Sequence, residues 1–161
     1  MISLEKIRQL PCHHRETIPE EYLDIMGHMN VQFYMALYSK GLRNMVRELG
    51  ITEEYCRSEN SGSFALHQYI RYLAEVRVGQ TVALHIRLIG RNAGRLHFIH
   101  FMINETVGAL ASTMEVSSAH ADLIARRTSP FPEKIAQSID ALLSRHANLD
   151  WEPPLCGVIR I

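Results

Sequence analysis

The sequence predicts an α+β fold in which one long helix covers one face of a mostly antiparallel sheet. A helical apolar stripe occupies residues 31–49, and four segments with strand periodicity follow it between residues 64 and 122. Strands and helices do not alternate in the βαβ manner that a parallel sheet requires. The predicted order is strand, helix, four strands, helix, which corresponds to a sheet with helices on one side.

The long helix is predicted to begin after Asn30 and to end at Gly50. Asn30 is a residue type that caps helix N-termini, and glycine is the usual helix stop. Between them, apolar side chains recur at i, i+3, i+4 and i+7. The members of this stripe are Val31, Tyr34, Met35, Tyr38, Leu42, Met45, Val46 and Leu49.

The strand segments are predicted at residues 64–76, 82–88, 95–104 and about 108–122. Apolar side chains occupy mostly alternate positions in them, as in strands with one buried face. The turn at residues 90–94 joins the second and third segments into a hairpin. Pro130 and Pro132 end the strand region, and a second amphipathic helix is predicted from Ile135 to about His146, followed by an irregular tail.

Composition predicts a single domain that spans residues 1–161. The chain is 47% hydrophobic and contains no linker or internal repeat. With 17 basic and 17 acidic residues its net charge is zero, so we expect neither a nucleic-acid nor a membrane partner. No apolar run approaches the ~20 residues of a membrane helix, and the start of the chain lacks a signal peptide's apolar region. Three widely spaced cysteines indicate ordinary reduced thiols and a cytoplasmic location.

A metal site and a serine or cysteine nucleophile are not predicted. His97 and His100 lie three positions apart in a strand and therefore point to opposite faces. His120 and Asp122 could share a face, but two ligands without a third do not make a zinc site. The sequence has no Gly-x-Ser-x-Gly elbow, and its cysteines stand in no nucleophile motif.

The segment Asp24-Ile-Met-Gly27-His28-Met-Asn30-Val-Gln-Phe-Tyr34 places polar chemistry directly before the long helix. A turn at a helix start presents unpaired N–H groups and the positive end of the helix dipole, which can stabilise a developing oxyanion. Such a turn can also be no more than loop and capping chemistry.

These residues match the D-x-x-G-H-x-N-x-x-x-Y signature of hotdog-fold thioesterases, and the chain resembles the 4-hydroxybenzoyl-CoA thioesterase-like superfamily. The resemblance covers roughly residues 12–127 and leaves the C-terminal helix and tail, residues 130–161, outside it. It implies a hotdog fold and hydrolysis of an acyl-CoA thioester to free acid and CoA. No cofactor is expected, because CoA is part of the substrate.

The resemblance also implies a role for each residue of the signature. Asp24 would act as base or nucleophile, and His28 would orient groups or shuttle a proton. The Gly27 and His28 N–H groups would polarise the thioester carbonyl. Asn30 would cap the helix and position water, and Tyr34 would line the pocket.

A further resemblance, of residues 70–79 to a strand of the plant acyl-carrier-protein thioesterases, implies that Glu75 is a third catalytic group. Met26 and Val31 depart from the patterns of those enzymes and of related bacterial thioesterases. Strand parity sets Glu75 opposite most apolar side chains, so it would need a bulge, a strand end or a partner subunit to reach the site. A simple surface glutamate is the alternative reading, and Glu115 is the second candidate partner.

The run from Tyr22 to Val31 resembles the betainyl-CoA thioesterase branch, which implies betainyl-CoA or another short to medium acyl-CoA as substrate. The alternative functions are a hotdog acyl-CoA dehydratase or hydratase and a non-catalytic acyl-CoA-binding protein. The long strand at residues 64–76 has no edge protection, so we expect a homodimer or homotetramer with active sites between subunits.

Overall fold

The computed structural model describes residues 2–161, which form a six-stranded sheet and four α-helices. The helices are α1 (Leu4–Ile7), α2 (Val31–Glu48), α3 (Glu53–Ser58) and α4 (Glu133–Ala147). The strands are β1 (Cys12–Thr17), β2 (Ser61–Tyr72), β3 (Thr81–Arg91), β4 (Arg95–Asn104), β5 (Ala109–Asp122) and β6 (Arg127–Thr128). None of the helices in this part of the chain has the length and hydropathy that a membrane span needs.

The strands are ordered β1-β3-β4-β5-β2, and β6 pairs with β5. β1 runs antiparallel to β3, with Thr17 opposite Thr81 and Cys12 opposite His85. The α+β hotdog fold is therefore confirmed. All four predicted strands are present, but the first of them runs from Ser61 to Tyr72 and not to residue 76. Its end is set by Leu73 and Ala74, whose N–H groups both donate to the carbonyl oxygen of Ala111.

The chain forms two compact units, each assembled from three segments. The first comprises residues 2–45, 70–86 and 100–114. Within it, α2 buries Tyr34, Leu37, Tyr38, Gly41 and Met45. Gly41 allows a close approach, because a Cβ there would lie 3.1 Å from Leu84 Cδ1. The predicted stripe is confirmed at Tyr34, Tyr38 and Met45 and is wrong at Val31, which is exposed.

The second unit comprises residues 46–69, 87–99 and 115–161. Here α4 buries Ile135, Ile139, Leu142 and His146, as its periodicity predicts. The tail after α4 is held by Arg87, whose guanidinium lies 4.2 Å from the centre of the Trp151 ring. Arg87 also donates to the carbonyl oxygens of Trp151 and His146. Burial lowers the pKa of Arg87, and these contacts compensate its desolvation.

Candidate active site

The turn at Asp24–His28 is closed by its own hydrogen bonds. The Asp24 N–H donates to the His28 carbonyl oxygen at 3.0 Å, and the Gly27 N–H donates to the Asp24 carbonyl oxygen at 3.1 Å. The Asp24 side chain accepts from the Met26 N–H through Oδ1 at 2.8 Å. Gly27 has φ of 81°, a left-handed conformation that glycine adopts without strain. The motif thus folds a tight loop that fixes the Asp24 carboxylate.

Two backbone hydrogen bonds hold the end of this turn at the start of α2. The Met29 N–H donates to the Val76 carbonyl oxygen at 2.7 Å, and the Asn30 N–H donates to the Tyr22 carbonyl oxygen at 2.9 Å. Asn30 Oδ1 accepts from the Gln32 N–H at 3.1 Å, which confirms Asn30 as the N-cap.

Asp24 and His28 face each other across the turn. Asp24 Oδ2 lies 3.5 Å from His28 Nδ1, and the side chains are 17% and 29% exposed. This separation exceeds a normal hydrogen bond, so neither group is locked to the other. A carboxylate and an imidazole at this distance can act together in proton transfer once a substrate is bound.

His28 opens onto a cavity of about 490 Å³ beside the start of α2. Its lining is mostly aromatic or aliphatic, with one imidazole and one carboxylate: His28, Met29, Val31, Tyr34, Tyr72, Leu73, Ala74 and Glu75. The structure therefore brings His28, Tyr34 and Glu75 together around one space. Asp24 is not among the lining residues, but its carboxylate lies next to His28, which is.

The backbone donors at the helix start differ from those predicted. The Gly27 N–H is occupied by the Asp24 carbonyl oxygen and is not free to polarise a substrate carbonyl. Within residues 2–161, the N–H groups of His28 and Val31 donate to no protein acceptor. Both residues line the cavity. The signal that could have identified Val31 is its position directly after the N-cap, where a helix N–H has no intrahelical partner.

Glu75 reaches the cavity because it lies beyond the end of β2. If the strand continued to residue 76, the alternation of its side chains would place Glu75 on the face away from the site. The strand ends at Tyr72, so this alternation does not apply to Glu75. Glu75 shares the cavity with His28 in a single chain, so no partner subunit is needed to bring them together. Its Oε2 accepts from Arg77 at 3.0 Å.

Tyr34 is a neutral phenol at the back of this cavity. Burial, and then the nearby Tyr72 and Glu75, raise the pKa of Tyr34 to about 12. Its ring meets the Tyr72 ring edge to face, with centroids 5.0 Å apart and planes at 81°. Tyr34 is only 4% exposed and is among the residues that line the cavity.

The family model of the thioesterase-like superfamily matches residues 18–139, which include the turn, α2 and the strands β2 to β6. The chain belongs to this superfamily. It is 28% identical over 142 residues to the L-carnitine dehydrogenase/betainyl-CoA thioesterase of Agrobacterium fabrum, covering 88% of this chain and 28% of that protein. It is 25% identical over 129 residues to the betainyl-CoA thioesterase of Pseudomonas aeruginosa, covering 80% and 81%. The chain thus spans little more than a quarter of the length of the first relative.

A Staphylococcus aureus protein solved in complex with CoA has the same fold, with a TM-score of 0.84 and 24% sequence identity. The match covers 94% of this chain and 96% of that chain. This similarity shows that the two chains share a fold.

Glu115 has a different partner in this superfamily member. In the second unit, Glu115 Oε1 lies 2.8 Å from His97 Nε2, and Glu115 Oε2 accepts from the Cys156 N–H. Glu115 is 2% exposed and His97 9%.

Residues 2–161 contain no group of three or more His, Cys, Asp or Glu side chains that could hold a metal.

A cluster around Glu16 supports the turn, and sequence reasoning missed it. Glu16 accepts from His14, Tyr22 and Lys40, with the Lys40 Nζ at 2.6 Å and the Tyr22 hydroxyl at 2.8 Å. Partial burial tends to raise the pKa of Glu16, but these donors outweigh it and lower the pKa to about 2. Tyr22 also stacks on Phe33, with ring centroids 4.0 Å apart. The cluster thus joins β1 and α2 to Tyr22, whose carbonyl oxygen accepts the Asn30 N–H.

Proposed function

We propose that the protein hydrolyses acyl-CoA thioesters to a free acid and CoA. One observation carries this proposal: the Asp24–His28 pair stands at a helix start where the His28 and Val31 N–H groups are unpaired, beside a cavity of about 490 Å³. A base, a set of oxyanion donors and space for an acyl group are what hydrolysis of a thioester requires. Membership of the thioesterase-like superfamily supports the same reaction.

In the proposed reaction, Asp24 acts as the base for a water molecule, with His28 orienting that water or relaying its proton. The water oxygen forms a bond to the thioester carbon, and the carbonyl electron pair moves onto its oxygen. The N–H groups of His28 and Val31, at the positive end of α2, stabilise that oxyanion. The oxyanion then collapses, the carbon–sulfur bond breaks, and the departing CoA thiolate receives the proton that was taken from water.

The substrate that we propose first is betainyl-CoA. Both relatives described above are named as betainyl-CoA thioesterases, one of them as part of a bifunctional protein. The cavity volume fits a short acyl group together with the end of the CoA arm. Three unpaired cysteines are consistent with the cytoplasm as the proposed location.

We further propose a homodimer that forms along β2. This strand is an edge of the sheet, is 12 residues long and is exposed over most of its length, including Leu66 and Tyr69. An unpaired edge of this kind offers its N–H and C=O groups to a second copy of the chain. Light scattering should give twice the 18.4 kDa mass of one chain, and Tyr69→Lys should shift the protein toward monomer. A monomeric wild-type protein would contradict the proposal.

A thiol-release assay over a panel of acyl-CoAs tests the catalytic proposal. We expect stoichiometric CoA thiol and free acid from at least one member of the panel, with betainyl-CoA among the best substrates. A dehydratase or hydratase would interconvert enoyl and hydroxyacyl thioesters without free thiol, and a binding protein would retain acyl-CoA unchanged. Either of these results would refute the proposed hydrolysis.

A further inference from the structure

The cavity beside His28 differs at its two ends. At the helix start it is lined by His28 and Val31, and elsewhere by Tyr34, Tyr72 and Glu75. No lysine or arginine is among the lining residues in the described part of the chain. The Glu75 carboxylate is the only acidic side chain among these lining residues.

Tyr72 offers aromatic surface to this space. It is 48% exposed, whereas its edge-to-face partner Tyr34 is 4% exposed and fixed in the core of the first unit. Tyr34 thus holds the Tyr72 ring in place without covering it completely. An aromatic ring with part of its surface open attracts a cation through the negative potential of the ring face.

The Glu75 carboxylate reinforces this negative potential. Its charge contributes to the raised pKa of Tyr34, after burial and Tyr72, so its field reaches the tyrosine pair. Glu75 Oε2 is paired with Arg77, but within residues 2–161 Oε1 accepts no hydrogen bond. The Arg77 pair lies on the surface, where such ion pairs are weak and are readily exchanged for a ligand's charge.

We propose that Tyr72 and Glu75, with Tyr34 behind them, select an acyl group that carries a quaternary ammonium. Such a cation has no N–H to donate, so aromatic surface and a nearby carboxylate are the groups that can recognise it. In this role Glu75 is a counter-charge for the substrate and not a base. This inference rests on the proposed thioesterase activity, and it assigns residues to the choice of substrate.

A matched pair of substrates tests the proposal. Betainyl-CoA and 3,3-dimethylbutanoyl-CoA have the same shape and differ only in a quaternary nitrogen in place of a quaternary carbon. We expect the wild-type kcat/KM to favour the cationic substrate. Tyr72→Leu should lower this preference by roughly 3- to 30-fold, and Glu75→Gln should also lower it, while hydrolysis of the neutral substrate persists.

Two control variants separate charge recognition from general damage. Tyr72→Phe keeps the ring and should keep the preference, and Arg77→Gln removes the competing cation and should maintain or increase it. If Glu75→Gln lowers kcat on both substrates equally, Glu75 is catalytic and the proposal is overturned. It is also overturned if Tyr72→Leu leaves the preference unchanged.

Binding measurements keep this test separate from the test of hydrolysis. The non-hydrolysable thioethers that correspond to the two substrates, with a methylene in place of the carbonyl, can be titrated by calorimetry. Tighter binding of the cationic thioether, weakened by Tyr72→Leu and Glu75→Gln, would support the inference even if neither thioester were cleaved. Equal binding of the two thioethers would refute it, whatever the enzyme hydrolyses.

Discussion

The two compact units each contain a histidine paired with a carboxylate, and the two pairs are built differently. In the first unit, Asp24 and His28 lie 3.5 Å apart in a turn before α2 and are partly exposed. In the second unit, His97 and Glu115 lie 2.8 Å apart on β4 and β5 and are almost completely buried. The second oxygen of Glu115 accepts the Cys156 N–H of the C-terminal tail.

The two pairs contain the same types of residue, and their surroundings distinguish a pair suited to catalysis from one that stabilises the fold. Both oxygens of Glu115 have close partners, so this pair holds a tail on a sheet and little carboxylate surface is left for a substrate. Both pairs border a cavity, but the contact of His28 to Asp24 is loose, and unpaired N–H groups adjoin it. Spare hydrogen-bonding capacity beside a space is the property that points to catalysis.

The largest effect on stability is expected from breaking the buried pair. His97→Leu leaves the Glu115 carboxylate buried with only the Cys156 N–H, and should lower the free energy of unfolding by about 3 kcal/mol. Urea unfolding measures this change. The double variant His97→Leu/Glu115→Met should recover much of the loss, because an apolar pair needs no charge compensation. If His97→Leu unfolds like the wild type but loses turnover, our assignment of a structural role to this pair is wrong.

A smaller effect is expected at the open pair. His28→Ala removes the imidazole but keeps the backbone N–H at the helix start, so kcat should fall by roughly 10- to 100-fold, with the unfolding midpoint nearly unchanged. Steady-state kinetics on the best acyl-CoA measure it. A loss greater than that of Asp24→Asn would reverse the roles, making His28 the base and Asp24 the group that orients it.

The smallest effect concerns the Glu16 cluster that supports the turn. Because the pKa of Glu16 in the folded protein is about 2, below its ordinary 4.5, its stabilisation is fully present above about pH 4.5. It is lost as the pH falls from 4.5 toward 2. In Glu16→Gln, the free energy of unfolding should therefore fall less over this pH range than in the wild type. Urea titration at several pH values measures this difference. An identical pH dependence in both proteins would show that the cluster contributes no such stabilisation.

Local periodicity was enough to predict the fold class, the long helix and the order of the strands. It was not enough to predict the buried face of α2 completely. Gly41 lies on that face because Leu84 approaches it closely, and a glycine carries no hydrophobic signal. Periodicity places Val31 in the buried stripe, but its position as the first helical residue leaves it exposed beside the cavity.

The site was predictable where it is local in sequence. The Asp24–Asn30 turn, its N-cap and its carboxylate–imidazole pair follow from a single motif. The position of Glu75 could not be predicted, because the carbonyl of Ala111, distant in sequence, ends β2 at Tyr72. The catalytic roles of Asp24 and His28 stay predictions, which kinetics must test. The resemblance implies a catalytic role for Glu75 as well, whereas our proposal assigns Glu75 to the choice of substrate.

The most direct test of the account compares two aspartates that close loops in the same way. Asp24 accepts the Met26 N–H, and Asp122 accepts the N–H groups of Ile124 and Ala125, so an asparagine can preserve either loop. For Asp24→Asn, we predict that kcat falls by roughly 10²- to 10⁴-fold while the unfolding midpoint is retained. Asp122→Asn should leave kcat at the wild-type value. Wild-type turnover in a folded Asp24→Asn variant would contradict the assignment of catalysis to this turn.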